Sequence, residues 1–390
     1  MNIKEISRKE YDAYLDRLEG VSFLQTSEMA EVLKSNKRKT KLLALVDGED
    51  ILAVGLAFMR NFYGGERIDL MVGASAEEKE NEYIFYDKLK DYAREEGYLK
   101  LIVKLDSDFQ KIDQDGKEVL EEDKSFFKKM TDVGYVENDG TIASFDGSPD
   151  YQFIKDLTDF LPDNEDKLLK SFNKNAQRKI KKARELGIRV RKISKDEMDD
   201  FKSLTFETAE RQGFGDKSLD YYQTFYDEFG EKTEFLTSEI DFDYSIEKIR
   251  KLLDSIADSP KNKQRRDSLE KDIRMLEDFK KEADRDIVPL ANMILVYGDD
   301  EVVYFLGGSL TEYQKLPGAF ILQYEAMKRI MEKEIPIYNF FGVDGVFDGS
   351  DGVLRFKQNF NGYILRKTGA FIYYPDPARL EKEKNSKKKD

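Results

Sequence analysis

Residues 337–363, IYNFFGVDGVFDGSDGVLRFKQNFNGY, bring together side chains able to do chemistry. A strand-like run, Ile337 to Phe341, breaks into a Gly/Asp-rich loop at Gly342–Gly352. A helix-like segment then sets Lys357 between Phe356 and Phe360. Glycine lets a backbone approach a ligand closely. A lysine among aromatics just past such a loop is partly desolvated and can hold an anion or a developing oxyanion. The same spacing also suits an ordinary loop followed by a solvated lysine.

What the chain lacks narrows the chemistry. It has no Cys and no His, which removes disulfides, thiol nucleophiles, Cys/His zinc sites and His general bases at once. Carboxylates, Lys, Tyr, backbone amides or the substrate itself must carry any catalysis. An all-carboxylate metal site stays open in principle, but no Asp/Glu cluster has a recognisable cation-loop spacing, so no metal is expected. Charged residues make up 37% of 390 and the net charge is −14, so the surface is acidic and non-specific nucleic-acid binding is disfavoured. No apolar run reaches the roughly 18 residues that span a bilayer. The N-terminus, MNIKEISRKEYDAYLDRL, lacks a signal-peptide core, and a cytoplasmic location is expected.

Local charge departs from the total. Residues 167–192, KLLKSFNKNAQRKIKKARELGIRVRK, hold eleven basic residues and one acid, Glu185. Lys174, Arg178, Lys181 and Lys182 recur at three- and four-residue spacing and share one helical face. That face can neutralise nucleic-acid phosphates, making binding salt-sensitive. With the Lys-rich C-terminal tail, RLEKEKNSKKKD, it can instead rest on anionic lipid headgroups. A merely solvated helix fits as well.

The elements that must position these groups come in two series. Lys41–Val46, Asp47-Gly48 and Ile51–Arg60 read as a hairpin, Tyr83–Glu95 as an amphipathic helix, Leu99–Leu105 as a strand ending at Asp106, and Phe126–Met130 as a short helix before Gly134-Tyr135. The second half repeats this order with strands Glu234–Ile240, Leu290–Tyr297 and Glu301–Leu306, helix Phe320–Lys333, strand Ile337–Phe341, and a short helix before Gly362-Tyr363. Phe127-Lys128…Gly134-Tyr135 echoes Phe356-Lys357…Gly362-Tyr363. Two copies of one α/β unit are expected, with a seam near residues 145–155 and a mixed sheet flanked by helices. The expected division is 1–150 with 369–390, and 151–368. The second copy carries an insertion, Tyr244–Asp286. There Ile246, Ile249, Leu253 and Ile256, then Leu269, Ile273 and Leu276, keep helical spacing. Two helices joined near Ser259-Pro260 form an antiparallel coiled-coil arm over 243–287. Just after its turn, Lys261, Lys263, Arg265 and Arg266 have no acid among them, a tip able to contact phosphates or to stay solvated.

A unit of hairpin, helix, strand and "FK…GY" resembles the acyl-CoA N-acyltransferase superfamily, the GNAT fold. Those enzymes cradle a pyrophosphate with a Gly-rich loop entering a helix. The corresponding places, Met71–Asn81 and Gly308–Ala319, lack that spacing, which argues against a CoA-dependent acetyltransferase. Over nearly its whole length the chain resembles the Fem family of peptidoglycan-bridge aminoacyltransferases. The resemblance rests on Phe23-Leu24-Gln25-Thr26, Lys104-Leu105-Asp106, Arg178–Ala183, Glu210-Arg211-Gln212-Gly213…Tyr221-Tyr222, Val303–Ser309, Tyr338–Val343 and Phe356-Lys357, in that order, with the inserted arm.

The resemblance implies an α/β (α+β) fold of two tandem GNAT-like acyltransferase domains. It implies transfer of an amino acid from aminoacyl-tRNA to a stem-peptide amine of a peptidoglycan precursor, either lipid II or UDP-MurNAc-pentapeptide. The chain favours a lipid-linked acceptor, and Ala or Ser over Gly. It also assigns residues: Lys357 as stabiliser of the oxyanion or of the tRNA end, Asp106 as a possible base or a loop cap, Lys217 and Tyr221 as a precursor-binding basic-x-x-x-Tyr pair, and Lys34, with Lys37 in competition, as a further precursor contact. Where a family member has Tyr, Leu306 stands here, so that contact is expected to be missing, and Tyr304 is expected to be structural. A non-catalytic tRNA-binding or scaffolding protein is the alternative reading.

Overall fold

The computed structural model describes residues 1–138, 140, 142–143, 147–213 and 215–387. Its first half runs β1 (Asn2–Glu5), α1 (Arg8–Leu15), α2 (Ser27–Ser35), β2 (Lys39–Asp47), β3 (Asp50–Phe62), β4 (Gly65–Leu70), α3 (Lys79–Glu95), β5 (Lys100–Asp113), β6 (Glu118–Leu120), α4 (Ser125–Asp132) and β7 (Val136–Glu137). It continues with β8 (Tyr151–Asp156), α5 (Glu165–Ser171), α6 (Lys174–Leu186), β9 (Arg189–Lys192), α7 (Met198–Gln212), α8 (Leu219–Phe229) and β10 (Thr233–Asp241). The last elements are α9 (Phe242–Asp254), α10 (Lys263–Glu282), β11 (Ile287–Tyr297), β12 (Glu301–Ser309), α11 (Gly318–Glu332), β13 (Ile337–Gly342), α12 (Gly352–Lys357), β14 (Tyr363–Tyr373) and α13 (Pro377–Lys387). Polar N-caps start many of the helices: Ser7 with Glu10 forms a capping box on α1, and Asn173, Ser218 and Asp351 cap α6, α8 and α12.

The strands form one mixed sheet in the order β1-β2-β3-β4-β5-β14-β8-β13-β12-β11-β10-β9, with β6 on β5 and β7 on β14. The two ends repeat one plan. β1 to β4 are antiparallel and step in parallel to β5 across α3. β9 to β12 are antiparallel and step in parallel to β13 across α11. At the centre, β8 pairs with β13, whereas β14 from the end of the chain pairs with both β8 and β5. An early strand therefore completes the late half and a late strand completes the early half. Ala53–Met59 of β3 and Leu290–Val296 of β11 are buried without alternation, as expected of strands covered on both faces.

Among the described residues there are three large apolar cores and a small cluster of Ile102, Ile142, Ala370 and Ile372. One lies under α3 and α4, and one under α6, α9, α10 and α11. The third joins α1 and α2 of the first half to α7 and α8 of the second. There Phe23 sits edge-on to Phe225, Phe229 and Phe305, at 6.5, 6.2 and 4.9 Å between ring centroids.

Two sequence expectations change. β5 does not stop at Asp106 but runs on to Asp113. Asp106 is presented instead by a break in the ladder with β14, where Leu105 pairs with Gly369 and Asp108 with Lys367. Asp106 and Ser107 thus oppose Thr368 alone, a bulge that re-aims a side chain within a continuing strand. The inserted helices α9 and α10 are antiparallel, with Arg250 near Glu277 and Lys280 near Asp243. Their seam is not closed on itself as in an isolated arm. Ile246, Ile249, Leu269 and Leu276 are continuous with Ile180 and Ala183 of α6 in the large core.

Candidate functional site

Lys357 lies in the last turn of α12 and is 4% exposed. Its Nζ donates to the carbonyls of Phe341 at 3.2 Å and Gly342 at 2.6 Å. The flanking aromatics do not surround the ammonium, as the sequence suggested. Phe356 and Phe360 pack with Phe320 and with each other in the core. The lysine faces backbone oxygens because β13 turns at its end: Phe341 has φ 64°. A non-glycine residue there costs on the order of 1–3 kcal/mol. Opposing that cost, the Phe341 amide donates to Asn339 Oδ1 at 2.8 Å and its carbonyl accepts from Lys357. Burial lowers the Lys357 ammonium to about 7, against the opposing pull of Asp351 and Asp344. Asp351 is held in place by accepting from the amides of Val353, Leu354 and Asp344. In the loop, Gly345 with φ 73° makes room for the Tyr151 ring, so packing explains it without a ligand.

Asp106 is joined to Lys357 by a continuous polar chain. Asp106 Oδ1 accepts from Ser148 Oγ and, at 2.9 Å, from Gln152 Nε2. Gln152 Oε1 accepts from Asn339 Nδ2 at 2.7 Å, and Asn339 in turn holds the Phe341 turn. Asn339 Nδ2 also reaches Glu301 at 3.2 Å. Lys367 Nζ lies 3.9 Å from Asp106 and 2.7 Å from Asp108. Burial raises Glu301 despite Lys367, and Lys367 is raised by Asp106, Asp108 and Glu301 against its own burial. Gln152 and Asn339, 2% and 3% exposed, were not singled out from the sequence as site residues. A signal was present: Asn339 is flanked by aromatics in IYNFFG and Gln152 stands between Tyr151 and Phe153, and polar residues in such settings need partners.

β13 has the same irregularity as β5. Asn339 pairs with Ile154 and Gly342 with Gln152, so Phe340 and Phe341 oppose Phe153 alone. Topologically equivalent strands of the two halves thus carry bulges where Asp106 and the Lys357-binding turn sit. Asp106 also lines a cavity of about 580 Å³ walled by residues 17–22, Gln25, Val72, residues 74–77, Lys79, Glu82, Tyr86, Leu105, Ser107 and Phe126. Gln25 of the Phe-Leu-Gln-Thr segment is part of that wall, donating to Gly73 O at 2.8 Å.

The remaining residues fall into two groups. α2 packs on α8, and Glu28 at the start of α2 pairs with Lys232 just beyond α8 at 2.9 Å. The helices are antiparallel, which sets the last turn of α2, with Lys34, beside the start of α8, with Lys217 and Tyr221. Lys34 is exposed and paired with Glu31 at 2.7 Å; Lys37 is exposed with φ 58°. Lys217 Nζ stands 5.7 Å from the Tyr221 ring centre, while Tyr221 itself is 3% exposed and packs on Tyr222 and Phe225. The ring is a wall rather than an open ligand contact. Tyr304 is partly buried against the large core, and burial raises its hydroxyl to about 12.

On α6, Lys174, Arg178 and Lys181 are exposed as one face. Lys182 departs from that expectation: it bridges Asp272 and Glu185, tying α6 to α10. Two of the four tip cations depart likewise. Arg265 pairs with Glu185, and Arg266 donates to the carbonyls of Leu253 and Ile256 at the end of α9. The insertion folds along α6, and these charges fasten it there. Lys261 and Lys263 stay exposed. Lys388 and Lys389 of the tail lie outside the described residues.

Comparison with known proteins bears on this geometry. Residues 6–384 match the FemAB family. Proteins called "Aminoacyltransferase FemA" from Staphylococcus aureus strains MRSA252 and bovine RF122 / ET3-1 are 26% and 25% identical, over 95% of both chains. Among solved structures, a crystal structure of FemX aligns with TM-score 0.71 and 20% identity over 96% of this chain and 97% of that one. A tandem GNAT protein from the clavulanic acid biosynthesis pathway aligns with TM-score 0.54 and 7% identity over 97% and 99%.

Proposed function

The chain belongs to the FemAB family, and from that premise we propose that it is a tRNA-dependent aminoacyltransferase. It moves an amino acid, Ala or Ser in preference to Gly, from aminoacyl-tRNA to a stem-peptide amine of a peptidoglycan precursor and so builds the interpeptide bridge. The preferred acceptor is lipid-linked. Among the described residues no helix is long and apolar enough to cross a membrane.

The observation that carries the reading is the chain from Lys357 through Phe341, Asn339 and Gln152 to Asp106 on the cavity wall. Ester aminolysis needs a neutral amine, a stabilised tetrahedral oxyanion and a protonated leaving oxygen. In this reading Lys357 uses its third N–H on the oxyanion or the ribose oxygen. An ammonium has three donors, and Phe341 and Gly342 take two of them. A bound polyanion raises the lysine from about 7 back into its charged form. Lys34 and Lys217, at the paired ends of α2 and α8, hold precursor phosphates. The exposed face of α6, joined by Lys261 and Lys263, takes tRNA phosphates. No cofactor is needed, because the ester bond of the donor supplies the free energy.

The test is to incubate the full-length protein with a panel of charged tRNAs and either lipid-linked or UDP-linked precursor. A mass gain of one amino-acid residue on the precursor is expected. Equal binding of charged and uncharged tRNA with no ester consumed would favour a scaffold instead.

A further inference from the structure

The cavity beside Asp106 contains a carboxylate that the proposed reaction has not yet used. Glu82 lies on α3 one turn before Tyr86 and one turn after Lys79, and all three face the cavity. The other charged groups on its wall are engaged or open to water. Arg17 pairs with Glu77 at 3.1 Å, and Lys79 Nζ sits 4.3 Å from the Phe126 ring centre. Asp106 is bound by Ser148 and Gln152, and Glu19 is exposed. The Tyr86 hydroxyl accepts from the Ala74 amide at 2.9 Å. Glu82 is half-buried, and among the described residues it has neither an ion pair nor a side-chain hydrogen bond. An unpaired, half-buried carboxylate facing a 580 Å³ cavity leaves room for a cationic ligand to pair with it.

We propose that Glu82 receives the primary ammonium of the acceptor in this cavity and takes a proton from it; the assignment rests on the aminoacyl-transfer reading above. The ammonium gives one proton to the Glu82 carboxylate, leaving a neutral amine and a carboxylic acid. The nitrogen lone pair forms the C–N bond at the ester carbonyl. When the C–O bond to ribose breaks, the ribose oxygen keeps that electron pair and takes the second nitrogen proton. Glu82 then returns its proton to water. Asp106, already accepting two hydrogen bonds, positions the amine without being the acceptor. Burial pushes the Glu82 carboxyl up to about 7, with Lys79 alone pulling it down, which suits a base working near neutral pH.

Label the glutamate side-chain carboxyls of the full-length protein with ¹³C and follow them by NMR across pH. Nα-acetyl-lysine amide serves as amine probe and Nα-acetyl-norleucine amide as its control. The expected result is one resonance, absent from Glu82→Gln, that titrates near pH 7 and moves down by a unit or more with the lysine probe only. In the transfer assay, Glu82→Gln should lower kcat/KM at least about 100-fold and lose the rise with pH through 7, while Asp106→Asn keeps that rise. A Glu82 resonance indifferent to the amine overturns the site. So does a Glu82→Gln variant with wild-type rate and pH profile. A wild-type protein that binds the amine at Glu82 yet transfers nothing keeps the ammonium site and removes the reading beneath it.

Discussion

The two FK…GY segments are a natural comparison within one molecule. In the first, Phe127 packs edge-on to Phe371, and Lys128 points into solvent. Gly134 has φ 90° with open space around it, and Tyr135 is buried with its hydroxyl donating to Tyr86 O at 2.9 Å. In the second, Phe356 packs in the core, but Lys357 is buried against two carbonyls. A Cβ on Gly362 would come within 2.2 Å of Ile154 O, and Tyr363 is half-buried under Lys111. The aromatic and the tyrosine serve packing in both copies, whereas Gly134 serves a positive-φ turn and Gly362 a close backbone approach. The lysine differs because only the second copy has the bulged, positive-φ end of β13 to hold it. The first half carries the matching bulge on β5, and it presents a carboxylate, Asp106, instead. The halves thus share a scaffold and divide the polar groups between them.

The sharpest way to break this comparison is to delete each lysine. Lys357→Ala should lower single-turnover transfer by about 10³-fold, the scale of a lost oxyanion donor, whereas Lys128→Ala should stay within about twofold. Equal effects would leave only the packing role. The glycines come next, read by thermal or denaturant unfolding. Gly362→Ala should cost about 3 kcal/mol because its new methyl group meets backbone. Gly134→Ala should cost only about 1 kcal/mol, from positive φ alone.

Asn339→Ala leaves the Phe341 amide and Gln152 Oε1 without the partner that Asn339 supplies, while Gln152 Nε2 keeps its bond to Asp106. A fall in kcat of about 10- to 100-fold is expected with little change in the KM for either substrate, the pattern of a positioning residue. A change in KM alone would place Asn339 outside the relay. On α6, replacing Lys174, Arg178 and Lys181 together by Ala should weaken tRNA binding and flatten its salt dependence. Lys182→Ala should instead lower the melting temperature, since it ties α6 to α10.

A pH trend in stability bears on Lys357 as well. The fold holds Lys357 near 7 against an ordinary 10.5. Between those values the unfolded chain binds more protons, so the contribution of Lys357 to stability rises with pH through that window, by up to about 1.4 kcal/mol per unit. The stability of wild type relative to Lys357→Met should therefore increase from pH 7 to pH 9. A flat difference would mean that the lysine titrates normally.

Much of the fold could be read in advance because its causes are local. Strand runs such as Leu290–Tyr297, the Asp47-Gly48 turn and the spacing of Phe320–Lys333 follow from apolar periodicity and turn chemistry, and they appear as β11, the β2–β3 hairpin and α11. Lys357 was legible as a candidate from its position after the Gly/Asp loop. Its burial against Phe341 and Gly342 was not, because a bulge is a property of two strands and β13 and β8 are about 180 residues apart. The same reason hid the Asp106 bulge, whose partner β14 comes from the end of the chain. Lys182, Arg265 and Arg266 were misread because helical spacing gives a face but not its neighbour, and here the neighbour is the folded-back insertion. Glu82 did leave a signal that was passed over: it is an acid in line with the buried Tyr86, Leu89 and Ala93, at i+4, i+7 and i+11 on the apolar stripe of α3.

The most direct test follows a doubly labelled donor, with isotope in the amino acid and in the tRNA, through a single turnover with the full-length protein. The account predicts that the amino acid leaves the tRNA only when precursor is present, and that it appears on the precursor mole for mole as an alkali-stable amide. Amino acid that stays on the tRNA in the presence of precursor, or that is released as the free acid, would contradict it.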